Sequence, residues 1–322
     1  MKKNDFIKIY ALQKKIRVVE EKIAENYKYN KMRCPTHLSI GQESVATASA
    51  LALNKNDISI SYHRSHAHYL AKGGSVRKLF AELHGYEEGC SKGIGGSMHL
   101  IDLNNNFYGS TAIVSNSIPI GVGLAYSLKI NKKKNLVCIY IGDAALEEGV
   151  FYESLNFCII KKLPVVFLCE NNFYSVYTHI KHRQPINRKP FELAKGLGAN
   201  SFKLNQTNPY DLYKKLKKIF NKIRNNPFPY FIEVETYRYL EHCGPNDDTN
   251  LGYRSLTELN SWKKNDPLLY AKNFILKNDI LQINELENIE IKIYKDIEND
   301  FNYLKKLKIP KFKKIKNFVY KK

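Results

Sequence analysis

Long apolar runs are missing from this chain. Nothing in it approaches the ~18 consecutive apolar residues of a membrane-spanning helix, so no membrane partner is expected. The start, Met1-Lys2-Lys3-Asn4-Asp5-Phe6-Ile7-Lys8, is basic but has no apolar stretch behind it, unlike a secretory leader. Cysteine is sparse. The six residues Cys34, Cys90, Cys138, Cys158, Cys169 and Cys243 never adopt C-x-x-C spacing, and reduced, partly buried thiols are expected of them. These absences point to a cytoplasmic protein. Arginine is scarce too. The net charge is 51 − 31 = +20, but nine of the basic residues are Arg and 42 are Lys, and Arg is the better bidentate reader of phosphate. Nine of those lysines fall in Tyr303 to Lys322, where there is no acid. With no helix-turn-helix, zinc-finger or RNA-binding signature, nucleic acid is not the expected partner.

What is present is an ordinary globular composition, 43% apolar and 25% charged over 322 residues, enough for one large or two medium domains without a disulfide or metal staple. Ile7, Tyr10, Leu12, Ile16, Val19, Ile23 and Tyr27 recur at helical spacing. A second helix is signalled by Glu43-Ser44 and the small-residue run to Leu53, and Ser75 caps another over Val76–Leu83. Ile58-Ser59-Ile60-Ser61-Tyr62 alternates like a short strand, and the glycines at 89, 93, 95 and 96 mark a loop. Two apolar runs, 136–141 and 165–169, read as strands, the first continuous as in a strand covered on both faces, and Tyr230-Phe231-Ile232-Glu233-Val234-Glu235 reads as a third. A helix opened by Glu147 and Glu148 separates the first two, and a basic helix over 210–223 precedes the third. Alternating strands and helices predict a doubly wound, mostly parallel α/β sheet. A main domain over 1–275 and a helical, Lys-rich extension over 276–322 are expected, with no internal repeat.

Asp143 and Asn172 each sit just past the end of a predicted parallel strand, where ligands of such sheets bind. One carboxylate and one amide oxygen make a half-site for magnesium, which wants six oxygens at ~2.1 Å and draws the rest from phosphate and water. The spacing predicts a magnesium-bridged diphosphate; the plain alternative is two turn-forming residues.

Gly142-Asp143-Ala144, followed after about twenty-six residues by Asn171-Asn172, resembles the thiamine-diphosphate fingerprint Gly-Asp-Gly…Asn-Asn. The wider frame resembles the alpha subunit of the 2-oxo acid dehydrogenase first component, of the pyruvate or acetoin dehydrogenase type. The carriers are Thr36-His37-Leu38-Ser39-Ile40-Gly41-Gln42-Glu43, the Gly89–His99 loop, Asn106-Phe107-Tyr108-Gly109, Lys162-Leu163-Pro164, Cys169-Glu170-Asn171-Asn172-Phe173-Tyr174 and Glu235-Thr236-Tyr237-Arg238-Tyr239. The likeness runs from about residue 10 to 260.

It implies a thiamine-diphosphate-binding fold. Asp143, Asn172 and the Tyr174 carbonyl would hold Mg2+, and Arg64, with His63 beside it, would clamp the diphosphate. The backbone near Ala112 and Val114 would meet the aminopyrimidine, and Ala144 and Ala145 would line the cofactor. His242 would stabilise the reacting centre and donate a proton, and His37 would face the substrate. His84, His179 and His182 are expected to be ordinary core or surface residues, and His99 part of the loop near the site. The implied activity is oxidative decarboxylation of a small 2-oxo acid, chiefly pyruvate, with acyl transfer to a lipoyl-bearing acyltransferase. A beta subunit would supply an activating glutamate in a two-alpha, two-beta assembly. Departures from the pattern keep other readings open. Ala144 replaces a glycine, His63 a tyrosine, and Tyr239-Leu240-Glu241-His242-Cys243 lacks the usual regulatory serine. A same-fold transferase or decarboxylase of a sugar or cell-surface pathway, a non-catalytic scaffold, and a basic nucleic-acid binder are the alternatives.

Overall fold

The computed structural model describes residues 2–308 except Arg33. The Lys-rich stretch around Pro310, expected as an extension, lies outside them. In chain order the elements are α1 (Lys3–Tyr27), α2 (Glu43–Ala52), β1 (Ile58–Ser61), α3 (His66–Ala71), α4 (Val76–Leu83), β2 (Phe107–Ser110), α5 (Ser117–Ile130), β3 (Val137–Gly142), α6 (Gly149–Lys161) and β4 (Val165–Asn171). There follow β5 (Tyr174–Ser175), β6 (Thr178–His179), α7 (Ile180–Arg183), α8 (Pro190–Gly196), β7 (Asn200–Asn205), α9 (Pro209–Asn225), β8 (Tyr230–Glu235), α10 (Leu256–Lys264), α11 (Pro267–Lys277) and α12 (Ile283–Asn302).

Six strands form one sheet in the order β2-β1-β3-β4-β8-β7, every pairing parallel; β5 and β6 make a separate antiparallel pair. The apolar runs read from sequence are its centre. Strand side chains alternate between faces, and each face has its own core. Cys138, Tyr140, Val166, Leu168, Ile232 and Val234 pack under α1, α2, α9 and α11. Val137, Ile139, Ile141, Phe167 and Phe231 pack under α5, α6 and α8. A third core joins α1, α3 and α4 to α12 through Ile297.

The strand order decides where a crevice opens. After β1 the chain turns outward to β2, whereas after β3 it turns the other way to β4. The β1/β3 boundary is therefore a topological switch point, and the crevice lies beyond the carboxyl ends of those two strands. Asp57 fixes this boundary. It is buried, its Oδ1 accepts from Leu136 N at 3.0 Å, and it ion-pairs with Arg224 of α9.

Local chemistry follows the sequence closely. The Ser75 hydroxyl accepts from Lys78 N at 3.3 Å and caps α4. Arg17 on α1 ion-pairs with Glu43 at the start of α2 and with Asp266 at 3.0 Å. Glu147 and Glu148 differ slightly from expectation. Asp143–Glu147 form a short 3-10 turn, and Glu148 is the residue before α6. The glycine loop is organised by one side chain. Glu82 accepts from the amides of Ser91 (2.7 Å), Gly93 (2.9 Å), Gly95 (2.7 Å) and Gly96 (3.1 Å). A Cβ at Gly89 would stand 2.3 Å from a Glu82 oxygen, and Gly93 has φ +75°, so both positions require glycine.

Phe167 is fully buried in the middle of β4. Phe167→Ala is expected to cost about 3–5 kcal/mol, read as a lower urea midpoint with an unchanged slope; a loss below about 1 kcal/mol would mean that the core is not packed there.

Candidate active site

The switch-point crevice is a cleft of about 800 Å3 including its open mouth. His37, His63, Arg64, Ala112, Val114, Asp143, Ala144, Ala145, Asn172, Tyr174 and His242 all line it. Tyr62, Met98, Ser115, Ser117 and Val176 line it too; sequence reasoning did not single these out.

One wall is acidic and oxygen-rich. Asp143 follows β3 and is buried, which pushes its carboxyl up, while the Arg183 guanidinium pulls the other way. Arg183, at the end of α7, ion-pairs with both Asp143 and Glu147. The two asparagines at the end of β4 and just past it diverge, as consecutive residues of an extended chain do. Asn171 turns back to the sheet, donating to Glu233 Oε1 at 2.8 Å. Asn172 faces the cleft. Its Oδ1 accepts from Tyr174 N at 3.1 Å, and its Nδ2 donates to Gln42 Oε1 at 3.3 Å. Backbone strain gathers here: Ser115, Phe173 and Val176 have φ of +65°, +69° and +52°, a region costly for a β-branched residue such as Val176. Ser115 Oγ donates to Ala145 O at 3.0 Å and ties the Ala112–Val114 segment to the Asp143 turn. Ala144 is not among the residues of positive φ, so replacing glycine there brings no left-handed strain.

The opposite wall is cationic and aromatic. Arg64 is buried, and its hydrogen bonds go to the carbonyls of Leu38 (2.6 Å) and His242 (3.0 Å), while Nε is buried without a partner. Burial lowers its pKa to about 10, so it stays charged at neutral pH. His37, His63 and His242 surround it. Burial, then Arg64, pushes all three imidazoles down: His63 to about 3, His242 to about 2, and His37 further. All three are neutral at pH 7. Arg64 can only donate, so the His242 Nδ1 facing it at 3.5 Å carries a lone pair and Nε2 the proton.

Behind this wall lies a Ser-His-Glu relay. Ser97 Oγ is 2.8 Å from His66 Nε2, and His66 Nδ1 is 2.9 Å from Glu20 Oε1. All three residues are fully buried, so no substrate reaches the hydroxyl. Ser97 Oγ instead accepts from His37 N at 3.1 Å and holds that residue at the cleft. The four histidines expected to lie outside the chemistry do so. His84 is buried and bonded to Phe80 O, His179 caps α7, and His99 and His182 are exposed. A second buried network was not visible in the sequence. Asp248 binds Arg238 (3.1 Å) and Arg254 (2.7 Å), and Arg238 Nη2 donates to Val176 O at 2.8 Å. It locks the segment carrying His242 against the strained end of the other wall.

Comparison with known proteins settles the family. The model of the dehydrogenase E1 component family matches residues 12–313. The chain belongs to this family. It is 33% identical to a pyruvate dehydrogenase E1 component subunit alpha of Rickettsia bellii, over 99% of this chain and 96% of that one. It is 31% identical to the mitochondrial pyruvate dehydrogenase E1 component subunit alpha-1 of Arabidopsis thaliana, over 98% and 79% respectively. The family recognised from short motifs is thus the one returned over nearly the whole chain. Like the sequence, the structure of this E1 chain offers no membrane span: among the described residues no helix is long and apolar enough to cross one. All six cysteines are free thiols, three of them buried.

The neutral imidazoles make stability depend on pH. Unfolded histidines protonate near 6.5, whereas His63 does so only near 3 in the folded chain. The unfolded state therefore takes up more protons on acidification. Stability is expected in full above about pH 6.5 and to fall as pH drops toward 3. Urea midpoints from pH 7.5 to 5 check this; a His63→Tyr chain with the same slope would refute the assignment.

Proposed function

We propose that this chain is the alpha subunit of a thiamine-diphosphate-dependent 2-oxo acid dehydrogenase, with pyruvate as the favoured substrate. One observation carries the reading. A carboxylate and an amide, Asp143 and Asn172, face across a single cleft a buried guanidinium, Arg64, whose partners are carbonyls. A buried cation of this kind calls for an anion, and the oxygen-rich wall suits a hard divalent cation. Arg183 already supplies a positive charge to Asp143, in keeping with a cation position there. The residues thus fit a magnesium-bound diphosphate.

In this reading the Asp143 carboxylate, Asn172 Oδ1 and the Tyr174 carbonyl hold Mg2+. Arg64 binds diphosphate oxygen by charge-assisted hydrogen bonds, with His63 beside it. Ala144 and Ala145 form the turn under the diphosphate. Ala112 presents backbone to the aminopyrimidine, and Val114, 45% exposed, offers it an apolar contact. Thiamine diphosphate, when bound, supplies the carbon nucleophile and electron sink that decarboxylate a 2-oxo acid. His242, neutral in the folded chain, offers its N–H as a hydrogen-bond donor to the reacting centre during transfer to the lipoyl group of an acyltransferase component. His37 orients the substrate.

The partner is a beta subunit, as the subunit names of the relatives suggest, in a two-alpha, two-beta assembly. The surface supports a covering chain. On α5 and α6, Ile120, Tyr126, Ile130, Phe157 and Ile160 are exposed, and a Cβ at Gly123 or Gly149 would meet nothing within 4 Å. Large apolar patches of this kind mark protein interfaces.

Calorimetric titration of thiamine diphosphate with Mg2+ into the chain co-expressed with its beta subunit is the test. Asp143→Ala should abolish magnesium-dependent binding. Arg64→Met should weaken it roughly 10- to 150-fold, the ~1.5–3 kcal/mol of a hydrogen bond to a charged group. Unaltered binding in both variants would sink the reading. Ile120→Glu on α5 should leave far-UV circular dichroism unchanged but shift the sedimentation coefficient to that of a separate chain; an intact assembly would place the partner elsewhere.

A further inference from the structure

His37 lines the cleft, and the segment that carries it is held in turn from helix α1. Arg17 and Glu20 stand one turn apart on the same face of that helix. Arg17 ion-pairs with Glu43, whose Oε2 accepts from Gly41 N at 3.1 Å. Glu20 is fully buried, and its Oε2 accepts from Ser39 N at 2.7 Å. The same peptide group is gripped at its other end, where Leu38 O accepts from Arg64 Nη1 at 2.6 Å. A single peptide unit thus lies between a buried carboxylate and the buried guanidinium of the cleft. Burial lowers the Arg64 pKa to about 10, and Glu20 is among the groups that oppose the fall.

The other oxygen of Glu20 begins a second connection. A carboxylate accepts and does not donate, so His66 Nδ1, 2.9 Å from Glu20 Oε1, is the donor. At the far end His37 N can only donate, and it does so to Ser97 Oγ at 3.1 Å. The Ser97 hydroxyl hydrogen therefore goes to His66 Nε2, 2.8 Å away. Read from either end, the bonds run the same way, from His37 through Ser97 and His66 to Glu20. Both connections end on the His37–Ser39 backbone.

We propose that Glu20 is a positioning residue for the cleft: by fixing the His37–Ser39 segment it sets the place of His37 toward the substrate and of the carbonyl that holds Arg64. The inference rests on the 2-oxo acid reading above, in which His37 orients the substrate. Glu20 acts only through these bonds.

Glu20→Gln separates the two connections. The amide keeps an oxygen for Ser39 N but presents N–H to His66, which reverses the chain and leaves the Ser97 hydroxyl hydrogen without its acceptor. The test uses the chain co-expressed with its beta subunit, with pyruvate decarboxylation read through an artificial electron acceptor. Glu20→Gln should raise KM and lower kcat/KM by roughly 10- to 100-fold, the scale of a small misplacement beside reacting atoms. Magnesium-dependent thiamine diphosphate binding should stay as in the wild type. Ser97→Ala, a smaller change, should raise KM in the same way, and Glu20→Ala, which also drops the Ser39 contact, should weaken cofactor binding as well. Because Glu20 and Ser97 belong to one chain of bonds, Glu20→Gln combined with Ser97→Ala should be no worse than the worse single variant. Phe167→Ala controls for lost stability and should lower the urea midpoint without raising KM. A wild-type KM in Glu20→Gln, losses that multiply in the double variant, or an equal rise in KM in Phe167→Ala overturns the proposal. A wild type that neither binds the cofactor nor turns over pyruvate overturns it together with the reading it rests on, whereas normal wild-type binding and turnover with an unaltered Glu20→Gln overturns this proposal alone.

Discussion

The parallel pairing of β1 with β3 is the constraint on which the cleft depends. Ile58 pairs with Val137 and Ile60 with Ile139, and beyond these pairs the chain leaves in opposite directions. That divergence puts Arg64 and Asp143 on facing walls, although 79 residues separate the paired strands. A slip of one residue would turn every side chain of β1 to the other face and carry Arg64 out of the cleft. Asp57 prevents it by binding the amide before β3 and Arg224 on α9 at once.

Buried charge is distributed with the same economy. Arg17 has Glu43 and Asp266, Arg224 has Asp57, and Arg238 and Arg254 share Asp248. Such pairs offset their own desolvation and fix geometry more than they add stability. Arg64 differs, since its direct partners are carbonyl dipoles. Three neutral imidazoles add nitrogen lone pairs and no compensating charge. A buried cation without a directly ion-paired carboxylate thus faces the cleft, where an outside anion can reach it.

Much of this was legible because burial leaves a mark on sequence. β3 and β4 are buried and carry the apolar runs 136–141 and 165–169, β8 buries Phe231, Ile232 and Val234 beside Glu233, and Asp143 and Asn172 stand out as polar residues past the ends of β3 and β4. Edge strands leave no such mark. β7 is Asn-Ser-Phe-Lys-Leu-Asn and mostly exposed, so its pattern is that of a loop. Helix α5 was also unreadable, because Pro119, Gly121 and Gly123 weaken the helical signal and its exposed side is as apolar as its buried one. Arg183 and the Asp248 network escaped for another reason. An ion pair between residues 40 apart has no local spacing, and only the folded chain brings its members together. His37, His63 and His242 were each recognised by motif, but their meeting in one cleft is a fact of three dimensions.

The Glu82 hub has a consequence for how this chain tolerates change. Substitutions are ordinarily absorbed by loops and resisted by buried strands. Here a helix side chain organises the loop through backbone amides, so an exposed loop side chain such as that of Ile94 takes no part in that contact. Ile94, turned to solvent between two of the bound amides, is free to drift. The glycines around it are fixed by space and by φ, and Glu82 is fixed because no shorter acid reaches four donors. Relatives should therefore vary at single loop positions while keeping a carboxylate one helix away, and that carboxylate would be mistaken for a surface charge by anyone reading α4 in isolation.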